Sequence, residues 1–297
     1  MIKPQTVIHI GANKTASTLL QRQLFSKKSH IQYFGEDCIN YEYLKEDIHN
    51  MIHEDNFYFN KNFIISNSIK NTSSDITRIV FSNEDIMGSR HPSLAADRLK
   101  EIFPEAKILM VIRNQIDVFP SWYVNHGAYL KNVPKRFWRR YVSFDEWLEY
   151  CFNFPKISPV QAMNYLKYFQ IFSKKFGEKN IIVIPYEDIF FDNSSFCNKL
   201  SELFDVESAT IKNIFSKKNE RSRNSKLNHE IHKFFGFSYK ISNNIYKKIS
   251  RFDNTGPFKI SINSKWLKKI NHEYAESNSE LELKTGLNLK KYNYPHR

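Results

Sequence analysis

Short apolar runs alternate with amphipathic stretches along most of this chain. Four runs are rich in β-branched residues: "TVIHI" (6–10), "RIVFS" (78–82), "KILMVI" (107–112) and "NIIVIPY" (180–186). They are too short for buried helices and nearly continuous in apolar character, the pattern of strands covered on both faces. Between them apolar residues recur at helical spacing: "STLLQRQLF" (17–25), "SLAADRLKEIF" (93–103), a segment from about Asp117 to Leu130, and "VQAMNYLKYFQIFSKKF" (160–176). "SSFCNKLSELFDV" (194–206) adds a helix after the last strand. Strand–helix alternation predicts an α/β fold, a three-layer sandwich with a central parallel β-sheet flanked by helices. Residues 27–77 are polar, aromatic and poorly periodic, and read as an insertion that caps the sheet edge. Residues 225–297 read as a C-terminal helical segment packed on the same domain. There is no internal repeat and no low-complexity linker, so 1–297 is expected to be a single domain.

Composition adds three constraints. Apolar residues make up 41% of the 297, with Phe and Tyr abundant, enough for a sizeable core. Lys and Arg exceed Asp and Glu by 44 to 31, a formal charge of +13, which calls for an anionic partner without saying which. The three cysteines, Cys38, Cys151 and Cys197, are odd in number and far apart, with no CxxC, so neither disulfides nor a zinc site is expected. The N-terminus runs almost directly into a strand without the layout of a signal peptide, and no apolar run approaches membrane-span length. These features point to a cytoplasmic protein with no stable membrane insertion.

Chemistry concentrates where strands end. "IHIGANKTASTLL" (8–20) has the outline of strand, tight turn and helix. Its lysine follows Gly11 by three residues with no second glycine, so it is not the GxxxxGK(S/T) nucleotide loop. Backbone amides in such a turn and the positive end of the following helix attract an anion. Lys14 adds a charge, and Thr15, Ser17 and Thr18 add hydroxyls. A helix cap by Ser17 or Thr15 with Lys14 in solvent is the plainer alternative. In "KILMVIRNQIDVFPSWY" (107–123) Arg113 follows the strand at once, Asp117 can cap a helix, and Pro120 then falls in its first turn. Ser121 lies eight residues after Arg113; a guanidinium and a hydroxyl there can hold a second phosphate. The alternative is an Arg113–carboxylate pair with Ser121 exposed.

Together the two sites resemble the sulfotransferases that use 3′-phosphoadenosine 5′-phosphosulfate (PAPS). That family has a 5′-phosphosulfate loop after strand one, Lys followed by Ser/Thr, Gly/Ala and two Ser/Thr; here it is "KTAST", Lys14, Thr15, Ala16, Ser17 and Thr18. Its 3′-phosphate motif is a strand ending in Arg with Ser eight residues on; here it is Arg113 and Ser121. "VIPYEDIFFD" (183–192) looks like the family's strand ending in Tyr-Glu-Asp, and "GLNLKKYNYP" (286–295) resembles the tail common in bacterial members. The fold so implied is P-loop-like. Two positions depart from the pattern. Ala16 stands where many members have Gly, which requires a negative φ there. Gln115 stands where Pro often follows "RN", a harmless change if Pro only stiffens the turn.

The resemblance implies PAPS as nucleotide co-substrate, no metal, and sulfuryl transfer to an acceptor hydroxyl, here on a carbohydrate; a uronic-acid-containing or otherwise anionic glycan suits the basic surface. The motif style is closest to the carbohydrate and heparan types. Lys14 is then the cation at the leaving oxygen and Glu84, just past the second clear strand, the base on the acceptor side. Asp85 and His126 are rivals for the base, whereas His9, alternating within its strand, reads as packed. Family members close a basic C-terminal loop over the nucleotide; in "KKNERSRNSKLN" (217–228) that points to Arg221, Arg223 and Ser225 for the 3′-phosphate. "KNVPKRFWRR" (131–140) could meet an anionic glycan or a membrane surface, but a solvated segment with Phe137 and Trp138 in the core is the better reading. "NFYFNKNF" (56–63) reads as packing. Small alcohols, phenols, lipids and peptides stay open as acceptors. A nucleotide kinase would need GK(S/T), which is absent. A nucleic-acid-binding protein would show affinity falling steeply with salt, and the two phosphate motifs speak against it.

Overall fold

The computed structural model describes residues 3–297 apart from 36–37, 39–40, 69–71, 125–133 and 217–224. Five strands form one parallel sheet: β1 Gln5–His9, β2 Ile31–Gly35, β3 Arg78–Ser82, β4 Lys107–Ile112 and β5 Ile181–Pro185, in the order β2-β3-β1-β4-β5. The four expected strands lie within two residues of their predicted bounds. β2 was not foreseen. Its middle positions are the half-buried Gln32 and Tyr33, because an edge strand bonded only to β3 need not be apolar throughout. Residues 27–77 therefore supply part of the sheet as well as the cover over it.

The helical run after β1 begins as α1 Ser17–Leu19, widens into a π turn at Leu20–Leu24 and closes as a 3₁₀ turn at Phe25–Lys27. The cover is α2 Tyr41–His53 and α3 Lys61–Ser68. Next come α4 Pro92–Ile102, α5 Gln115–Trp122, α6 Phe144–Asn153, α7 Pro159–Ala162 and α8 Tyr165–Phe176. After β5 follow α9 Asp188–Phe191, α10 Asn193–Phe204, α11 Ser208–Ser216, α12 Lys226–Phe234, α13 Tyr239–Ile249 and α14 Ser264–Thr285.

Period-two alternation along the strands splits the core. Ile8, Phe81, Ile108 and Met110 face one way and pack with Leu99 of α4, Phe119 of α5, Phe172 of α8 and Tyr274 of α14. Val7, Val80, Leu109 and Val111 face the other and pack with Leu20, Leu24 and Phe25 and with Phe196, Leu200 and Phe204 of α10. The result is the three-layer α/β sandwich.

One buried cation fastens the cover. Arg98 of α4 is 3% exposed, and its Nη1 donates to the carbonyls of Asn50, Met51 and Glu54 at 2.9, 3.1 and 2.8 Å. Its Nε and Nη2 reach Asn56 Oδ1. These carbonyls lie in the last turn of α2 and just beyond it, where a positive charge is also favoured by the helix dipole. The aromatic stretch 56–63 is only partly packing, as Phe57 and Tyr58 are exposed while Phe59 and Phe63 lie against the core.

Candidate active site

The chain leaves β1 towards β2 and β3 on one side, then crosses to β4 on the other. Ligands of open parallel sheets bind beyond the carboxyl ends at such a switch point. The β1–α1 loop and the β4–α5 junction, the two segments singled out by sequence, flank this one.

The loop starts with a close approach. Gly11 has φ 106°, and a Cβ there would stand 3.4 Å from the Cα of Glu84 and 3.6 Å from its carbonyl oxygen. The Asn83 N–H donates to His9 O at 3.1 Å, which brings the end of β3 against the end of β1. Glu84, half-buried, opens the 3₁₀ turn Glu84–Gly88, whose first turn is capped by the Asn83 side chain accepting from Asp85 N. Glu84 therefore sits next to the loop that carries Lys14. Asp85 beside it is exposed.

Within the loop, Lys14 and Ala16 take left-handed backbone, with φ 68° and 64°. The expectation of a negative φ at Ala16 does not hold. Alanine adopts the conformation for which glycine is usual and bears its steric cost, about 1–2 kcal/mol. The hydroxyls divide into two kinds. Thr15 and Ser17 are buried; Thr15 Oγ1 donates to Ala12 O at 2.5 Å, and Ser17 Oγ to the same oxygen at 3.3 Å. In this structure their protons tie the loop to itself, instead of being presented outward as the sequence suggested. Thr18 and Lys14 are half-exposed at its surface.

His9 lies beneath the loop on the α10 face. Nδ1 shares a 2.8 Å hydrogen bond with Ser82 Oγ, which also accepts from Gln21 Nε2 at 3.1 Å. The ring is fully buried and packs edge-on to Phe25 at 6.1 Å. Burial lowers its pKa to about 4, so it is neutral near pH 7 and part of the packing, as expected.

At the other flank, Arg113 Nη1 donates to Lys14 O at 3.0 Å, bringing together two motifs 99 residues apart. The guanidinium lies 4.7 Å over the Tyr186 ring. Tyr165 clamps the Arg113 backbone, donating to its carbonyl at 2.7 Å and accepting from its N–H at 3.4 Å. Asn114, not Asp117, caps α5: its Oδ1 accepts from Ile116 N at 2.9 Å. Pro120 is consequently inside the helix, past its first turn. Ser121 is half-buried on α5, seven residues beyond Asn114 and so on nearly the same helix face.

A set of long-range hydrogen bonds holds this junction. The Asn114 N–H donates to Glu187 Oε1 at 2.9 Å, and Tyr294 OH to Glu187 Oε2 at 2.8 Å. Asn114 Nδ2 donates to Tyr292 O and Asn293 O at 2.9 and 2.8 Å. Tyr292 OH donates to Asp188. Gln115 is fully buried and exchanges hydrogen bonds with Asn278 of α14 at 3.0 and 3.1 Å. Gln115 is thus no idle replacement for proline; it couples α5 to α14. Burial raises the Glu187 carboxyl pKa, opposed by its hydrogen bonds from Asn114 and Tyr294. The Tyr-Glu-Asp segment and the C-terminal "YNYP" are therefore two halves of one brace around Arg113. Both were visible as motifs; that they meet was not.

Arg221, Arg223 and His126 lie outside the described residues. Ser225 is buried as the cap of α12, accepting from Asn228 N at 3.0 Å and bonding Tyr246 OH at 3.2 Å, a structural use that departs from the phosphate role suggested for it. Among the described residues no group of three or more His, Cys, Asp or Glu could hold a metal ion.

The parallel α/β sheet carries a lysine turn after β1 and an arginine at the end of β4, and likeness to known proteins gives its class. The profile described as "Sulfotransferase family" matches residues 5–210, more than half of the chain. The chain belongs to the sulfotransferase family and is a sulfuryl-transferring enzyme. The crystal structure of a sulfotransferase from Alicyclobacillus acidocaldarius matches with a TM-score of 0.61 at 13% sequence identity, over 99% of this chain and 100% of that one, a likeness of fold. No curated protein sequence matches the chain.

Proposed function

We propose that the protein transfers the sulfuryl group of PAPS to a carbohydrate hydroxyl. The observation that carries this reading is the 3.0 Å contact between Arg113 and the Lys14 carbonyl, which unites a strand-one cation turn and a strand-four arginine at one rim. Two anionic groups of one nucleotide suit that pair: the 5′-phosphosulfate at the backbone amides of Lys14, Thr15, Ala16, Ser17 and Thr18 with the Lys14 and Thr18 side chains, and the 3′-phosphate at Arg113 and Ser121. Left-handed backbone at Lys14 and Ala16 belongs to turns whose amides converge on an anion. Arg221 and Arg223 are proposed to close over the 3′-phosphate. No metal takes part in this reading.

In the proposed chemistry the acceptor oxygen bonds to sulfur as the bond from sulfur to the phosphate oxygen breaks. The hydroxyl proton passes to the Glu84 carboxylate, and Lys14 stabilises the charge that builds on the departing oxygen. The contact of Gly11 with Glu84 supports this, since the base then stands beside the loop that holds the reacting group. A glutamate base resembles that of glycan-directed members, and the charge of +13 suits an anionic glycan. On this reading the protein acts in the cytoplasm, as one domain, with no nucleic-acid partner.

Adenosine 3′,5′-bisphosphate, the product nucleotide, tests the first half. It should bind 1:1 and raise the Tm, and Arg113→Ala should weaken it about 100-fold. Unchanged affinity in that variant, or no binding by the parent, overturns the reading. Labelled PAPS offered with a panel of saccharides, phenols, lipids and peptides tests the acceptor: turnover confined to phenols or lipids removes the carbohydrate assignment.

A further inference from the structure

Trp138 was expected in the core and is instead 58% exposed, although its neighbour Phe137 is fully buried. A second segment comes close to this one. A Cβ on Gly236 would stand 2.5 Å from Tyr141 N and 2.9 Å from its Cα, so the "FFGFS" turn (234–238) between α12 and α13 lies directly on the segment that follows Trp138. That turn directs Phe234 and Phe237 to solvent, at 78% and 53% exposure, with Ile241 exposed one turn into α13. Among the described residues, Phe234 and Phe237 each meet the ring of the intervening Phe235 edge-on, at 4.9 and 6.1 Å. Four large apolar side chains therefore stand outward within a few residues of one backbone contact.

Cations adjoin them along the chain. Arg139, Lys233 and Lys240 are exposed next to Trp138, Phe234 and Ile241 in the chain. Arg140 pairs with Glu146, and Glu230 is the exposed acid on the preceding turn of α12. Aromatic rings standing out of a positively charged surface combine the two forces that hold a protein on an anionic bilayer: apolar insertion at headgroup depth and attraction to anionic lipid. A polyanion alone would leave the outward Phe and Trp without a role. A second copy docked face to face would oppose cation to cation across a two-fold axis. No described helix is long and apolar enough to cross a membrane, so the contact is peripheral.

We propose that this patch seats the protein on an anionic bilayer surface, with Trp138, Phe234 and Phe237 entering the headgroup layer and the flanking Lys and Arg meeting anionic headgroups. The inference is independent of the acceptor and of the nucleotide reading. The test is co-sedimentation of the full chain with vesicles of phosphatidylcholine alone or of equimolar phosphatidylcholine and phosphatidylserine. The parent should pellet with the mixed vesicles and stay in solution with the neutral ones. The F234S/F237S variant, changed only at exposed positions, should lose at least about tenfold in partitioning while its Tm and its binding of adenosine 3′,5′-bisphosphate stay as in the parent. A parent that ignores anionic vesicles overturns the proposal, as does a double variant that pellets as well as the parent. A lipid-free dimer of the parent that F234S/F237S dissociates would give the patch to a second copy and likewise overturn it.

Discussion

The two flanks of the site are built in opposite ways. The hydroxyl bonds inside the Lys14 turn are local: Thr15 and Ser17 both reach Ala12 O, across three and five residues, and Lys14 and Ala16 take left-handed backbone. The Arg113 junction is remote: its supports reach Glu187, Asn278, Tyr292 and Asn293, at separations of 73, 163, 178 and 179 residues. A local turn can be strained yet short, because only a few bonds must hold it. A charged side chain at a strand end needs neighbours from several elements, and the fold must close before they exist. The loop should therefore answer mutation in activity and the junction in stability.

The sharpest way to break that contrast is Lys14→Ala. Loss of a cation at the departing oxygen should lower kcat by about 10²–10³ with the Tm almost unmoved; a variant that unfolds instead would show the loop to be structural. Next is Glu187→Ala, which strips the Asn114 N–H and the Tyr294 hydroxyl of their acceptor. Two buried donors left unpaired should cost about 3 kcal/mol in urea unfolding. Stability unchanged by this substitution would mean the brace does not hold the junction.

The acid limb gives a third measure, beneath the loop. His9 is neutral in the fold with its pKa near 4, whereas in the unfolded chain it takes up a proton near 6.5. The unfolded state then binds more protons below about pH 6.5, so stability falls as pH drops from there towards 4 and is unaffected by this group above 7. The loss attributable to His9 should approach 2–3 kcal/mol, on the order of the 1.36 kcal/mol per pKa unit that links the two. Unfolding free energies of parent and His9→Gln measured at successive pH values should diverge in that window; parallel curves would contradict the buried neutral ring. The smallest effect is Ala16→Gly. Relief of left-handed alanine, offset by greater unfolded-state freedom, should stabilise by about 0.5–1 kcal/mol and raise the Tm by about 2 °C. A lower Tm would show that the alanine methyl packs to advantage.

Legibility followed the same division. Strands buried on both faces announce themselves by composition, and four of the five were placed from it. β2 escaped because Gln32 and Tyr33 occupy its middle on the sheet edge. The α5 cap was assigned to Asp117 when Asn114, already bonded to the C-terminal tail, takes it, and Pro120 moved with that error. Trp138 was expected in the core together with Phe137, and it is exposed where Phe137 is buried.

Spacing along the chain determined four of the five strands, the turn after β1 and the arginine after β4, because periodicity and short motifs are properties of neighbouring residues. The tertiary structure alone decided that Arg113 touches the Lys14 carbonyl, that Glu84 lies against Gly11, and that Glu187 and Tyr294 meet at Asn114. Those contacts join residues 73 to 107 positions apart in the chain. At such separations a hydrogen bond leaves no period in the sequence; only the order in which parallel strands are laid side by side brings its donor and acceptor together.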